Sequence, residues 1–328
     1  MSKKERRLEP KNHLFYAEIS KGFVVKVLVE VITAPLKRGV FYLTREGIFL
    51  KQQDDISTIM FDVTLPRKSF KKYICQEEKI ISVNLAHLKM LLKNVKKKDS
   101  LIFSIRHDQD SQLFITIKPE TAKEVARSET INMVYKEVLD PIDPGTPNGQ
   151  YKYPVVITSS DFQKIKRQIT MGSKSINVMI QGSSYLCFFC NSDIYGTKLE
   201  YGEKLDPDEE SESVDPAYSE NEEMYSIYES TYSANTFNSL LKLPGLCNQM
   251  QFYAPTIPEY HLIRISMDIA QQNCTLGHID VYIKDESTIA YEKSGASGTS
   301  SARDVSDSNG NSKSKSRDKT AVKRKKKK

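Results

Sequence analysis

The sequence predicts an α+β chain in which one sheet-plus-two-helix domain is used twice. Three observations predict it. Short apolar or alternating runs bounded by turn signals fill residues 13–139 and again 155–285. Each region holds only two segments of helical periodicity. Those segments superpose between the regions: Val24, Val27 and Val31 fall on Phe162, Ile165 and Ile169, and Leu88, Leu91 and Leu92 fall on Phe237, Leu240 and Leu241. An internal duplication with helices packed on one side of antiparallel sheets accounts for all three.

The elements follow in order. "LFYAEIS" alternates at period two and reads as a strand, and "GFVVKVLVEVI" as a helix despite its β-branched residues. "GVFYLTREGIFLKQ" is two strands about the turn Arg45-Glu46-Gly47, and "STIMFDVTL", "KKYICQ" and "KIISV" are short strands. "NLAHLKMLLKNVKKK" (84–98) has one stripe of Leu85, Leu88, Leu91, Leu92 and Val95 and a second of Lys89, Lys93, Lys96 and Lys97, with no acid until Asp99. A solvated helix ordinarily mixes signs, because oppositely charged residues four apart stabilise it; a one-signed face suits a polyanion. "SLIFSIRH", "QLFITIKP" and "TINMVYKEVL" close the first region as strands.

Residues 140–154 hold four prolines and two glycines and read as an interdomain connector. The second region repeats the pattern: a helix at "SSDFQKIKRQI" capped by Ser159 or Ser160, strands at "SINVMIQ", "SYLCFFC" and "YGTKLEYG", a helix at 231–242, then strands "QMQFYAP", "HLIRISMDI" and "CTLGHIDVYIKD". Residues 203–223 carry ten acids and one lysine, an exposed loop. From Glu286 onward the Ser-, Gly- and Lys-rich chain predicts a disordered basic tail, 286–328.

The net charge of +6 is unevenly spread: residues 286–328 carry +7 and 1–12 carry +3, which leaves 13–285 at −4. A nucleic-acid surface on the folded part must then be a local concentration of lysine. No run approaches the roughly 20 apolar residues of a membrane span, and the charged start lacks a signal core, so a soluble chain made in the cytosol is expected. The terminal "KRKKKK" reads as a nuclear-localisation block or a nonspecific nucleic-acid arm; a cytoplasmic location is the expectation for a viral chain. Five cysteines at 75, 187, 190, 247 and 274 suggest reduced thiols, and Cys187 and Cys190 lie in a strand, where their spacing suits neither a metal nor a redox turn. No metal or cofactor is expected. The five histidines are scattered, and the phosphate-cradling glycine loop, H-E-x-x-H and G-x-S-x-G are all absent, which argues against an enzyme.

Tyr73, Cys75, Val83, Asn84, Leu85, Leu92 and Lys93 stand in register with a characteristic segment of the proliferating cell nuclear antigen family of sliding clamps. Leu139, Asp140, Gly145, Pro147 and Tyr151 resemble that family's interdomain loop, and Gly277, His278, Tyr282 and Ile283 its last strand. The resemblance implies a closed ring, usually of three subunits, with sheets outside and helices lining the hole, a non-catalytic device that tethers DNA polymerase to duplex DNA and is placed by a clamp loader. It implies inward basic positions at Lys26, Lys93, Lys164, Arg167 and Lys242; helical geometry adds Lys89 and Lys96. It implies ring-closing strand edges near 131–136 and 184–190. It also implies a front pocket for a peptide with one aliphatic and two aromatic anchors, built from Met60, Leu139, Pro258, Tyr282 and Ile283 beside connector residues Gly145, Pro147 and Tyr151. The chain departs from the family at Pro144 and Thr146, at Met90 in place of a lysine, and at "DDIS" (54–57), which lacks a histidine. The alternative is a clamp-like DNA-binding or checkpoint subunit acting as a monomer or in a hetero-ring.

Overall fold

The computed structural model describes residues 12–120, 125–136, 151–169, 173–191, 196–205, 226–256, 262–271 and 274–298. The first half runs β1 (His13–Ile19), α1 (Gly22–Ile32), β2 (Arg38–Leu43), β3 (Gly47–Gln53), β4 (Ile59–Pro66), β5 (Lys72–Cys75), β6 (Lys79–Asn84), α2 (Leu85–Leu92), β7 (Ser100–Arg106), β8 (Gln109–Lys118), β9 (Arg127–Asn132) and β10 (Val134–Tyr135). The second runs β11 (Val155–Thr158), α3 (Ser159–Ile169), β12 (Ser175–Gln181), β13 (Tyr185–Asn191), β14 (Gly196–Gly202), β15 (Ile227–Ser233), α4 (Ala234–Ser239), β16 (Gln249–Tyr253), β17 (Leu262–Gln271), β18 (Cys274–Lys284) and α5 (Glu286–Gly298).

The duplication is explicit in the topology. The order β6-β2-β3-β4 recurs as β15-β12-β13-β14, and β1-β7-β8-β9 recurs as β11-β16-β17-β18. The registers repeat too: Ala17 faces Phe103 across β1–β7, and Val155 faces Phe252 across β11–β16. The halves are joined by β18, which pairs antiparallel with β4 from His278↔Thr64 to Ile283↔Ile59, so a nine-stranded sheet runs through both. Core residues on this junction are Phe61, Val63 and Leu65 from β4 and Ile279, Val281 and Ile283 from β18, none more than 6% exposed. Residues through Ala290 form one unit and Tyr291 onward a second.

Local chemistry explains the elements that departed from expectation. α1 is buried on more than one face: Val24, Val25, Leu28, Val29, Val31 and Ile32 are all in the core, while Val27 is half-buried. The helix packs against α2, against β17 and against a 3-10 turn at Leu243–Gly245, so tertiary burial overrides weak helix propensity. At its start Gly22 donates to the Asp99 carbonyl at 2.7 Å, and a Cβ there would lie 2.8 Å from Leu101 Cβ. α2 begins where the Asn84 side chain accepts from His87 N (3.0 Å) and ends at Leu92, not at Lys98. Val95 leaves the helical path to reach the core, and the Asp99 carboxylate accepts from Lys96 N at 2.9 Å, holding 93–99 as a turn. Ile227–Ser233 is a strand paired along β12, which leaves α4 only residues 234–239. The strand segment near 131–136 divides at Met133: β9 stays with β8, whereas β10 crosses to β6.

The chain after 285 differs as well. Residues 286–298 form α5 instead of the start of a disordered tail. The buried Asp285 carboxylate accepts from Thr288 N (2.9 Å), Ser287 Oγ (2.7 Å) and Ser230 Oγ (2.6 Å), and Ser175 Oγ donates to Glu286 (2.9 Å). An N-cap of this kind starts a helix that composition alone disfavours. Residues 299–328, with the KRKKKK block, and 206–223 of the acidic loop lie outside the described residues, as do residues 1–11 of the N-terminal extension.

Candidate nucleic-acid and partner interface

The helices form one contiguous layer: α2 on α1, α1 on the 243–245 turn, and α3 on that turn and on α4. Basic side chains from both halves gather on it. Lys26 reaches from α1 to the end of α2, donating to the Lys93 carbonyl at 2.7 Å, and lies 5.2 Å from the Phe23 ring centroid. One turn along α1, Glu30 pairs with Lys242 of the second half at 2.9 Å. Lys26, Lys93 and Lys242, separated by up to 216 positions in sequence, thus share one edge of α1. Lys89 and Lys93 are exposed, and so is Lys164, which pairs with Asp161 at 2.7 Å. Lys96 is exposed but sits in the turn after α2, so its assignment to a helical face is corrected. Arg167 lies on α3, with its side chain outside the described residues. Lysine predominates on this layer, but Glu30 and Asp161 dilute it, which sequence periodicity did not reveal.

The opposite face of the nine-stranded sheet is polar and aromatic. Strand alternation puts Met60, Asp62 and Thr64 of β4 on it, with Tyr282, Asp280 and His278 of β18 and Arg264, Ser266 and Asp268 of β17. A small pocket is lined by Gln53, Ser57, Thr58, Met60, Leu262 and Tyr282. Its wall is the turn 54–58, where Asp54 accepts from Thr58 N (2.6 Å) and Ile59 N (2.9 Å). Ile283, one residue from Tyr282, faces the other way and is wholly buried against the core, so its placement in the pocket is corrected. Tyr151 is half-buried, 6.2 Å from the Tyr282 ring, and bridges to Pro255. Leu139, Gly145, Pro147 and Pro258 lie outside the described residues.

Charges on this face are tightly matched. Arg264 forks onto Asp280 (Nε–Oδ1 2.9 Å, Nη2–Oδ2 3.2 Å). His278 sits between Asp280 (3.3 Å) and Asp268 (3.2 Å), with Ser266 Oγ at 2.8 Å. Hydrogen bonding to Asp280, then to Asp268, holds the imidazole above its usual range against burial. Burial pushes the Asp280 carboxyl up, but the bonds from His278, Ser266 and Arg264 outweigh it and leave it lowered. Burial raises Asp62 and lifts the Tyr282 phenol to about 12. A larger groove of about 710 Å³ lies on the first half's share of the sheet, over Tyr42, Phe49, Ile80 and Tyr135, and no sequence motif marked it.

Among the described residues each of the three sheets ends in two edge strands (β5 and β9, β10 and β11, β14 and β15); β9 and β14 are the edges whose counterparts in the other half, β18 and β4, are paired with each other. The second edge was expected near 184–190, but β13 is paired on both sides, by β12 and β14. The error is one hairpin; an alternating strand gives no sign of whether it has one neighbour or two.

Two halves of equivalent topology, one continuous helical layer studded with lysine and an outer sheet wall define a duplicated DNA-clamp fold. Residues 14–138 match the family model "Proliferating cell nuclear antigen, N-terminal domain". A DNA polymerase sliding clamp of Pyrococcus horikoshii is 28% identical over 159 residues, which are 48% of this chain and 60% of that protein. One from Thermococcus onnurineus is 32% identical over the same shares, and one from Nitrosopumilus maritimus is 23% identical over 70% of this chain and 84% of its own. The match thus spans about 60% of the length of two of these relatives. Solved structures agree in fold: proliferating cellular nuclear antigen of Entamoeba histolytica (TM-score 0.65, 13% identity, 84% of this chain and 99% of that one) and a PCNA2–PCNA3 complex of Sulfolobus tokodaii (0.64, 16%, 83% and 99%). The first half of the chain is thus similar to the N-terminal domain of the proliferating cell nuclear antigen family, and the chain shares the fold of that family's solved structures.

Proposed function

We propose that the chain is a sliding clamp: copies close head-to-tail into a ring around duplex DNA and tether DNA polymerase and other replication or repair proteins, without catalysis. One observation carries this reading. The junction β4–β18 inside the chain is the counterpart of a junction that β9 and β14 leave unmade, since β9 corresponds to β18 and β14 to β4. A heterologous contact of β9 on one copy with β14 on the next repeats the internal geometry, and repetition of a fixed turn closes a ring. Carrying the β4–β18 register across sets Arg127 opposite Leu199, and Glu129 opposite Thr197, of the next copy. Three copies are the number the family resemblance favours.

The lysine layer then faces the bore. Exposed lysines are flexible, hydrated point charges that neutralise phosphates and leave base edges unread, as sliding requires. The −4 charge of residues 13–285 disfavours DNA on the outer wall. Peptide anchors of polymerase and other partners dock at Met60, Tyr151 and Tyr282, a clamp loader opens the ring, and the KRKKKK block directs the chain to the nucleus, or a cytoplasmic replication site serves if the chain is viral.

The test is retention on nicked circular DNA, followed by cutting of the circle. A ring survives moderate salt on the circle and leaves through the new ends. A basic-tail binder loses affinity steeply with salt and ignores the cut, because its binding depends on counterion release; that result, or a monomer at all concentrations in light scattering, overturns the homo-ring.

A further inference from the structure

The outer face holds a device that the docking reading does not use. The Arg264 guanidinium lies 4.8 Å from the Tyr253 ring centroid and 5.8 Å from that of Tyr151, the first described residue of the connector. Tyr151 and Tyr253 meet edge to face at 6.3 Å, and Tyr151 is 6.2 Å from Tyr282. Arg264 cannot swing away from the two rings, because Asp280 holds its fork in two hydrogen bonds. Asp280 is itself held by His278 and by Ser266 on the same face. The Lys152 amide donates to the Ala254 carbonyl (3.0 Å), so backbone and side chain fasten the same point.

We infer that Arg264 is a positioning residue for partner docking: clamped by Asp280 and stacked on Tyr151 and Tyr253, it pins the connector's end against Tyr282 and so sets that wall of the peptide pocket. This inference rests on the docking reading above. Lysine cannot replace it, since an ammonium lacks both the planar fork that Asp280 grips and the flat face that the rings cover. Without the guanidinium, Tyr151 keeps only its bridge to Pro255 and its ring contacts, and a docking peptide must then supply the ordering itself.

The experiment is binding of a fluorescein-labelled synthetic peptide with one leucine and two phenylalanines to full-length chain, by anisotropy. Wild type binds and Tyr282→Ala abolishes binding. Arg264→Ala weakens it about tenfold, the scale of losing a desolvated stacking contact. Arg264→Lys recovers less than half of that loss, and Tyr151→Ala with Arg264→Ala together are no worse than either alone. Retention on circular DNA is unchanged throughout. Asp280→Asn, which loosens the fork while keeping its size, moves affinity in the same direction and serves if Arg264→Ala folds poorly. Peptide binding that needs Tyr282 but stays within about twofold of wild type in Arg264→Ala overturns this inference alone. So does full rescue by lysine, or multiplied losses in the double variant. Absence of binding by wild type overturns the docking reading and this inference with it.

Discussion

The internal junction and the open edges are the same structural position with different chemistry. Tracing the ladders outward from the helices, Arg127, Glu129 and Ile131 of β9 occupy the places of Ile279, Val281 and Ile283 of β18. Likewise Thr197, Leu199 and Tyr201 of β14 stand for Phe61, Val63 and Leu65 of β4. The internal pair is uniformly aliphatic or aromatic and buried. The open pair carries an ion pair between Arg127 and Glu129 (2.5 Å), a threonine, and half-exposed Leu199 and Tyr201. A permanent junction can be fully apolar. An edge that meets water whenever the assembly is open must carry charge, or it recruits unrelated strands.

Breaking the internal side has the largest expected effect. Val281→Arg copies open-edge chemistry into the core and costs more than about 4 kcal/mol, because it buries an unpaired charge; urea unfolding should show collapse of the whole transition. Breaking the open side is milder for the fold and decisive for assembly. Leu199→Asp should reduce the light-scattering mass to that of one chain while costing roughly 1–2 kcal/mol in unfolding, as only a half-buried leucine is lost. A full-mass ring from this variant would refute β14 as the contact.

The converse substitution sharpens the comparison. Arg127→Ile with Glu129→Val gives β9 the residues of β18 and should tighten assembly about tenfold or more, by removing two desolvation costs; dilution experiments would measure it, and weaker assembly would refute the equivalence. On the helical layer, Lys93→Glu with Lys242→Glu should lower retention on circular DNA at moderate salt and leave the unfolding midpoint nearly unchanged, since both residues are exposed. Unchanged retention and unchanged polymerase stimulation would refute the inward assignment.

The smallest effect concerns pH. The folded-state value of His278 is raised by Asp280 and Asp268, so its protonated form is stabilised. That stabilisation is full below the unfolded value of about 6.5 and disappears as pH rises through the elevated folded value. Arg264 and Asp62 also face the cluster: Arg264 is raised and stays charged through this window, and the raised Asp62 carboxyl lowers stability with rising pH in the same sense as His278, so the comparison with the His278 variant isolates the imidazole's share. His278→Gln should flatten a slight decline in melting temperature between pH 6 and 8; an unaltered slope would exclude the imidazole as its source.

Much of this was legible before folding. The α1 and α3 segments and both strand series follow from periodicity and turn residues, and superposing Leu88 on Phe237 exposed the duplication. Less was legible at element ends. α2 stops at Leu92 because Val95 turns into the core and Asp99 caps the turn, and neither contact is a periodic signal. Ile283 was misplaced because a strand inverts its face at each residue, so being one position from Tyr282 means pointing the opposite way. Arg264, Asp280 and Tyr253 escaped notice altogether. Their only sequence signals are an arginine and an aspartate at outward positions of two strands, whose pairing register is a long-range property.

The sequence alone determined the class of domain, its repetition and the presence of lysine-rich helical segments, because hydrophobic period and turn chemistry act over a few residues at a time. Tertiary structure decided which edges stay open, which lysines share a surface with Glu30, and which aromatic rings hold the connector's end. Those outcomes depend on strand order and register, which the chain fixes only when distant segments bury one common core.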